Sequence, residues 1–198
     1  MIKLYEFALS GNCHKVRLML SMLDLRYESV VLNGAANEQK SPEFLAMNPL
    51  GQVPVLVDGD VTVRDSQAIL VYLASRYGGA VWWPQEPAAL ADISAWLSTA
   101  ANEVAHGPSA LRARHKFGRK INAEEATQTT ATLLHMLEAQ LSKHDWLTGA
   151  SASIADVAIY PYLALAPEGQ IDLAPYPALR AWFGRIQALP GYVGMPGI

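Results

Sequence analysis

The chain has 198 residues, 15 Lys plus Arg against 18 Asp plus Glu, a formal net charge of −3 and a single cysteine. Its length suits one large domain or two compact ones, and its charge excludes a generally basic nucleic-acid binder and a strongly acidic tail protein. Apolar residues make up 51% and charged ones 17%, against a usual ~25% charged; this excludes disorder and points to extra buried surface such as a subunit interface, while one cysteine excludes an internal disulfide and a cysteine metal framework.

Lys3 and Glu6 fall where a secretory leader needs an apolar run. The most apolar stretch, 152–166, is broken by Asp156 and Pro161, and falls short of the ~18 residues of a membrane span. A soluble, cytoplasmic protein without a metal is expected.

In chain order, Ile2–Phe7 reads as a strand, and Val16, Met19, Leu20 and Leu23 mark one face of an amphipathic helix. Tyr27–Leu32 is a second strand and Pro42–Met47 a short helix stopped by Asn48-Pro49. Val53–Val57 and Asp60–Val63 read as strands joined at Asp58-Gly59, a two-residue hairpin signal. Asp65-Ser66 then caps a helix that turns Ile69, Leu70, Leu73 and Tyr77 inward. The order β-α-β-α-β-β-α is followed by Gly78-Gly79 and a proline-containing linker, Pro84–Pro87. Beyond it the pattern is helical. A long helix from Pro87 to about Arg114 is expected to kink at Gly107-Pro108. Further helices carry Thr130, Leu133, Leu134, Leu137 and Leu141, then Ile154, Val157 and Ala158 behind a Ser153–Asp156 capping box, then Leu179, Trp182, Phe183, Ile186 and Leu189. Valine concentrates before residue 80, alanine after it, and all five tryptophans lie in the second part. The fold class is therefore α/β followed by all-α, with domains at 1–79 and 86–198.

The chemistry-bearing candidates cluster in the first unit. The turn from the first strand into the first helix holds Ser10, Asn12 and Cys13, where free N–H groups and the helix dipole favour an anion. Ser10 and Asn12 supply a hydroxyl and an amide there, or simply cap the helix. Cys13, in the first turn, is expected either to have a depressed pKa or to pack as a small apolar residue. Val53-Pro54 opens a strand with a residue that donates no ladder bond, leaving the backbone of Val53 free for an extended peptide. Asp65-Ser66 offers a second helix N-terminus suited to a carboxylate. Arg112, Arg114, Lys116, Arg119 and Lys120 form a basic stretch accompanied only by Phe117; a solvated helix end is favoured over nucleic acid.

Three segments, Ser10-Gly11-Asn12-Cys13-His14-Lys15-Val16-Arg17, Asn48-Pro49-Leu50-Gly51-Gln52-Val53-Pro54 and Asp65-Ser66, closely resemble the soluble glutathione transferase family. The Ser153–Asp156 box resembles that family's helical folding motif, so the likeness spans the chain. It implies a thioredoxin-like first domain, an all-helical second domain that contributes the electrophile pocket, and a homodimer. It also implies glutathione as co-substrate, with Ser10 donating a hydrogen bond to the glutathione thiolate. By the same resemblance Val53, before a cis proline, pairs with the cysteinyl group, Asp65 and Ser66 hold the γ-glutamyl end, and Lys40 and Gln52 reach the glycine end. Asn12 is placed among the glutathione contacts. Gln39 stands where plant members often carry His.

Two departures leave the reaction open. A bacterial cysteine-type class places its reactive cysteine at Cys13 and a histidine near His106. The isomerase branch has a cysteine where this chain has Asn12. Asn102, His106 and Ala110 are expected to share a helical face toward the electrophile pocket. Conjugation to small electrophiles is the first reading and implies a role in detoxification. A glutathione-dependent disulfide reductase, peroxidase or isomerase is the alternative on the same scaffold, and a catalytically silent binding module is the alternative of another class.

Overall fold

The computed structural model describes residues 1–198. Its first half holds β1 (Ile2–Glu6), α1 (Gly11–Met22), β2 (Tyr27–Val31), α2 (Pro42–Met47), β3 (Val55–Asp58), β4 (Val61–Arg64) and α3 (Ser66–Leu73). The four strands form one sheet in the order β2-β1-β3-β4. β1 runs parallel to β2, pairing Ile2 with Tyr27, and antiparallel to β3, pairing Ile2 with Asp58. Parallel strands need a crossover, which α1 supplies. This mixed sheet with its helices is a thioredoxin-like domain. Along β1 the side chains of Ile2, Leu4 and Glu6 are buried in alternation, the period of a pleated strand.

The β3–β4 loop is Gly59-Asp60, one residue later than the sequence pattern suggests. Asp58 stays in the strand because its carboxylate accepts hydrogen bonds from Tyr72 (2.9 Å) and Tyr77 (2.5 Å). That contact also corrects the expectation for Tyr77, which is 38% exposed rather than inward. Helix α3 continues as a single π-turn over Ala74–Gly78 into the short α4 (Gly79–Trp82), so part of the expected linker is helical.

The second half is helical throughout: α5 (Pro87–Ala101), α6 (Glu103–His106), α7 (Pro108–Phe117), α8 (Ala123–Leu141), α9 (Ile154–Ala164) and α10 (Pro177–Gln187). The expected long helix is broken twice. Asn102 departs to φ −112, ψ −79 and Gly107 to φ −94, ψ −104. Proline at 108 cannot donate back to the preceding turn. Gly107 also packs where a Cβ would stand 2.9 Å from the Thr130 hydroxyl of α8.

Helix α9 is buried on all sides and joins the halves, packing on α1, α3 and α5. Its start is the capping box: Ser153 Oγ accepts from Ala155 N–H and Asp156 Oδ2 accepts from Ser153 N–H. Asp156 Oδ1 also accepts from Leu147 N–H at 3.1 Å and from Trp182 Nε1 at 2.9 Å. Burial pushes the Asp156 carboxyl up, and those donors oppose the push. One hydrophobic core of 30 buried residues runs from β1 through α9 to α10. No helix is long and apolar enough to cross a membrane.

Candidate functional site

Helix α1 begins at Ser10, and two cavities open on either side of that point. Ser10 is the N-cap: its Oγ accepts from Cys13 N–H at 3.3 Å. A hydroxyl that accepts here keeps its own proton available to donate, so capping and ligand binding are compatible in one group. The carboxylate of buried Glu6 holds the helix in place, accepting from Arg17 and, at 2.6 Å, from Ser29. Arg17 also donates to Ala8 O at 3.1 Å.

The first cavity is a narrow cleft of about 60 Å³ lined by Asn12, Gln52, Val53, Pro54, Asp65 and Ser66, with Asn48, Leu50 and Arg64. Six of the sequence-selected residues therefore meet at one place. The Val53–Pro54 bond is cis, and the N–H and C=O of Val53 have no hydrogen-bond partner within the protein. Asp65 adopts φ 73, ψ 130 and accepts from Gln67 N–H (2.9 Å) and Ala68 N–H (3.1 Å) through one oxygen. A non-glycine residue at positive φ costs roughly 1–3 kcal/mol and persists only where its surroundings impose it. The N–H of Ser66 is also without a partner.

Two supports of this cleft, Asn48 and Gly51, stand in the sequence only as members of the Asn48–Pro54 segment, with no role assigned to them. Asn48 donates to Gln52 O (2.7 Å) and accepts from Leu50 N–H (3.1 Å), which fixes the turn that presents Val53. Lys40 reaches the same turn, donating to Leu50 O at 2.9 Å, and sits at the edge rather than in the lining. Gly51, at φ 59, lets Lys40 pass: a Cβ there would lie 2.6 Å from Nζ.

The second cavity is a wider hollow of about 480 Å³, where Phe7, Leu9 and Ser10 face Ser109, Arg112, Ala113, Phe117 and Arg119 of α7 and its end, with Tyr162 of α9. Tyr162 packs so closely on the start of α1 that a Cβ on Gly11 would stand 2.8 Å from its ring. That glycine is the one local signal for Tyr162. Arg112 is 3% exposed, donating from Nε to Glu168 at 2.6 Å and from Nη1 to Leu9 O at 3.0 Å. It is thus no part of a solvated helix end, which corrects that expectation. Burial pushes the Glu168 carboxyl up, but hydrogen bonds from Lys116 and Arg112 hold it below its ordinary value.

One expectation fails here, and one pair of alternatives is decided. Asn102 and His106 do not face the hollow; they line a separate depression with Glu125, Gln128, Thr129 and Thr132 of α8. His106 is bonded through Nδ1 to Asn102 O at 2.9 Å. In an unbroken helix residues 102, 106 and 110 share a face, and the break at Gly107 rotates α7 away from it. Cys13 is fully buried, and burial pushes its thiol up to about 11, with the Ser10 contact lowering it only in part. Of the two readings of Cys13, the small packed residue is the one found and the depressed pKa is not, because desolvation exceeds the effect of the helix terminus. Behind it, Lys15 is fully buried with Nζ 5.6 Å from the Tyr162 ring centroid, and burial lowers its pKa to about 8.

Residues 4–81 match the glutathione S-transferase N-terminal domain, and residues 90–190 match the glutathione S-transferase C-terminal domain. The chain belongs to the glutathione transferase family. Glutathione S-transferase 3 of Zea mays is 32% identical, the match covering 96% of this chain and 91% of the relative. Disulfide-bond oxidoreductase YfcG of Escherichia coli is also 32% identical, covering 96% of this chain and 92% of that protein. A glutathione S-transferase from Pseudomonas fluorescens, known from its crystal structure, is 33% identical with a TM-score of 0.91, covering 98% of both chains.

Proposed function

We propose that this glutathione transferase family member is a glutathione-dependent enzyme that activates the glutathione thiol through Ser10 and directs it at small electrophiles. The observation that carries the reading is the unpartnered N–H and C=O of Val53 in a cleft that also holds Asp65 and Ser66. An extended peptide satisfies such a pair by adding one short strand contact. The γ-glutamyl carboxylate of glutathione meets the free N–H of Ser66 at the start of α3, where the helix dipole favours an anion. Gln52 and Lys40 stand toward the other end of the cleft, suited to the glycine carboxylate. The cysteinyl sulfur is then directed toward Ser10, at the mouth of the hollow.

The energetics are modest. A free cysteinyl thiol near pKa 8.5 is about 3% ionised at pH 7, and lowering it by about two units takes ~2.7 kcal/mol. One charge-assisted hydrogen bond, ~1.5–3 kcal/mol, with a helix terminus, ~0.3–1 kcal/mol, supplies that. No general base is required. The thiolate forms a bond to the electrophilic carbon and the leaving group departs with its electron pair.

Replacing Ser10 by Ala is expected to lower turnover of 1-chloro-2,4-dinitrobenzene roughly tenfold to a hundredfold, with glutathione affinity little changed. Turnover equal to wild type would remove Ser10 from the reaction. A second reading, disulfide exchange between bound glutathione and a small disulfide, is favoured by the likeness to the oxidoreductase YfcG. With Cys13 buried, that chemistry also runs on the ligand's sulfur. Faster turnover of a glutathione mixed disulfide than of any aryl halide would favour it. Cytoplasmic location, a homodimer and a role in detoxification accompany the proposal as what the family suggests.

A further inference from the structure

The hollow beside Ser10 has nine lining residues, among them two arginines and no carboxylate. The rest of the wall is Phe7, Leu9, Ala113, Phe117 and Tyr162, with the hydroxyls of Ser10 and Ser109. Arg112 is anchored on two sides, to Glu168 and to Leu9 O, and its Nη2 has no hydrogen-bond partner. Its guanidinium lies 5.3 Å from the Phe117 ring centroid. One carboxylate, Glu168, serves both Arg112 and Lys116, so the local charge remains positive.

Arg119 reaches the same hollow by a helix-ending turn. Gly118 takes φ 65, its N–H returns to Arg114 O, and Arg119 N–H returns to Ala113 O at 3.1 Å. This left-handed cap reverses the chain and brings residue 119 back beside residue 113. The Arg119 side chain takes part in no ion pair. The fixed positive charge of buried Arg112 at the wall and the unpaired, exposed guanidinium of Arg119 form a site that one carboxylate satisfies.

Building on the proposed glutathione activation, we infer that the preferred electrophile carries a carboxylate on an aromatic or similarly apolar body, with Arg119 receiving the carboxylate and Arg112 adding its fixed charge behind the wall. The reacting carbon then lies on the Ser10 side. For an aryl chloride, the glutathione sulfur bonds to the ring carbon, chloride leaves with the bonding pair, and the thiol proton passes to water.

The test uses the two finished conjugates, so it does not depend on turnover. S-(4-carboxy-2-nitrophenyl)glutathione and its neutral twin, S-(4-carbamoyl-2-nitrophenyl)glutathione, are titrated calorimetrically into the wild-type protein and R119Q, alongside glutathione itself. The carboxylate conjugate is expected to bind about tenfold tighter or more at low salt, an advantage that shrinks as ionic strength rises. In R119Q, which alters an exposed side chain and is checked for native unfolding behaviour, that advantage is expected to fall by about fivefold. Equal affinity for the two conjugates, or an advantage unchanged in R119Q, overturns the inference while glutathione activation stands. Binding of glutathione with neither conjugate overturns it as well. Failure of glutathione itself to bind overturns the underlying functional reading, and a carboxylate preference then has no site to act in.

Discussion

The cleft and the hollow meet at the first turn of α1, yet they are built in opposite ways. The cleft is made by residues between Asn12 and Ser66, mostly through backbone groups that local conformation leaves free. The hollow gathers Leu9 and Ser10, one face of α7 and Tyr162, segments distant in the chain that meet through the packing of α9 and the Arg112 bond to Leu9 O. Backbone recognition reads a ligand's peptide framework and tolerates little change. Side-chain walls can be exchanged one residue at a time, so under the proposed function the second cavity is the one that would set the choice of electrophile.

If the two cavities belonged to independent halves, damage in one would spare the other. The largest expected effect tests that. Asp156→Ala leaves the Leu147 and Ser153 N–H groups and the Trp182 indole without their acceptor. Each orphaned buried donor costs about 1–3 kcal/mol, partly offset by relief of the desolvated carboxylate, so a loss of roughly 3 kcal/mol or more is expected. Because one core spans both halves, denaturant melts followed by tryptophan fluorescence and by glutathione protection should shift together. A variant that melts in two steps, keeping glutathione binding after the helices unfold, breaks the comparison.

Next in size is Arg112→Met, which leaves Glu168 paired only with Lys116 and Leu9 O without its donor. Removing one partner of a largely buried pair costs roughly 3 kcal/mol; the partial exposure of Glu168 brings the expected loss nearer 2. The pair also predicts a pH dependence. Glu168 has a lowered folded pKa, so its contribution is present above the unfolded carboxyl value and fades as pH falls through the folded one. The wild-type advantage over Arg112→Met should therefore shrink in acid, measured by denaturation midpoints across pH. An advantage that grows toward low pH would contradict this assignment.

The same contrast explains what the sequence made legible. Cleft residues lie in short runs whose chemistry is local: a proline that ends ladder bonding, a cap at Asp65, a turn at Asn48-Pro49. The hollow has no such run. Tyr162 reads as one more apolar position of α9, and Arg112 as one cation among several, because Glu168 lies far along the chain. Asn102 and His106 lie away from the hollow for a specific physical reason. Helical periodicity carries a face along an unbroken helix, whereas here Gly107 resets it. The packing reading of Cys13 is legible in that same periodicity: the residue falls three before Val16 and seven before Leu20, on the buried stripe of α1.

A smaller effect separates the cleft's two functions. Asp65 caps α3 and also lines the cleft. Asp65→Ala should lower stability by about 1 kcal/mol, the usual loss of a cap. Glutathione affinity should fall more than stability alone explains, about tenfold, if the group also faces the γ-glutamyl end. A stability loss with unchanged affinity in calorimetry would reduce Asp65 to a cap.

The smallest expected effect sharpens the contrast most. Cys13 sits one turn from Ser10, and a reactive thiol there would make the protein's own sulfur a competitor of the ligand's. With its pKa raised to about 11 by burial, the thiolate fraction near pH 7 is only about one in ten thousand. The native protein should therefore react with iodoacetamide far more slowly than the denatured chain, and the rate should still be climbing at pH 9. Cys13→Ala should leave turnover within about twofold and cost about 1 kcal/mol for one small buried group. A fast-reacting native thiol, or an alanine variant without activity, would return the chemistry to Cys13. The cleft would then be a holder for a partner sulfur rather than for the nucleophile.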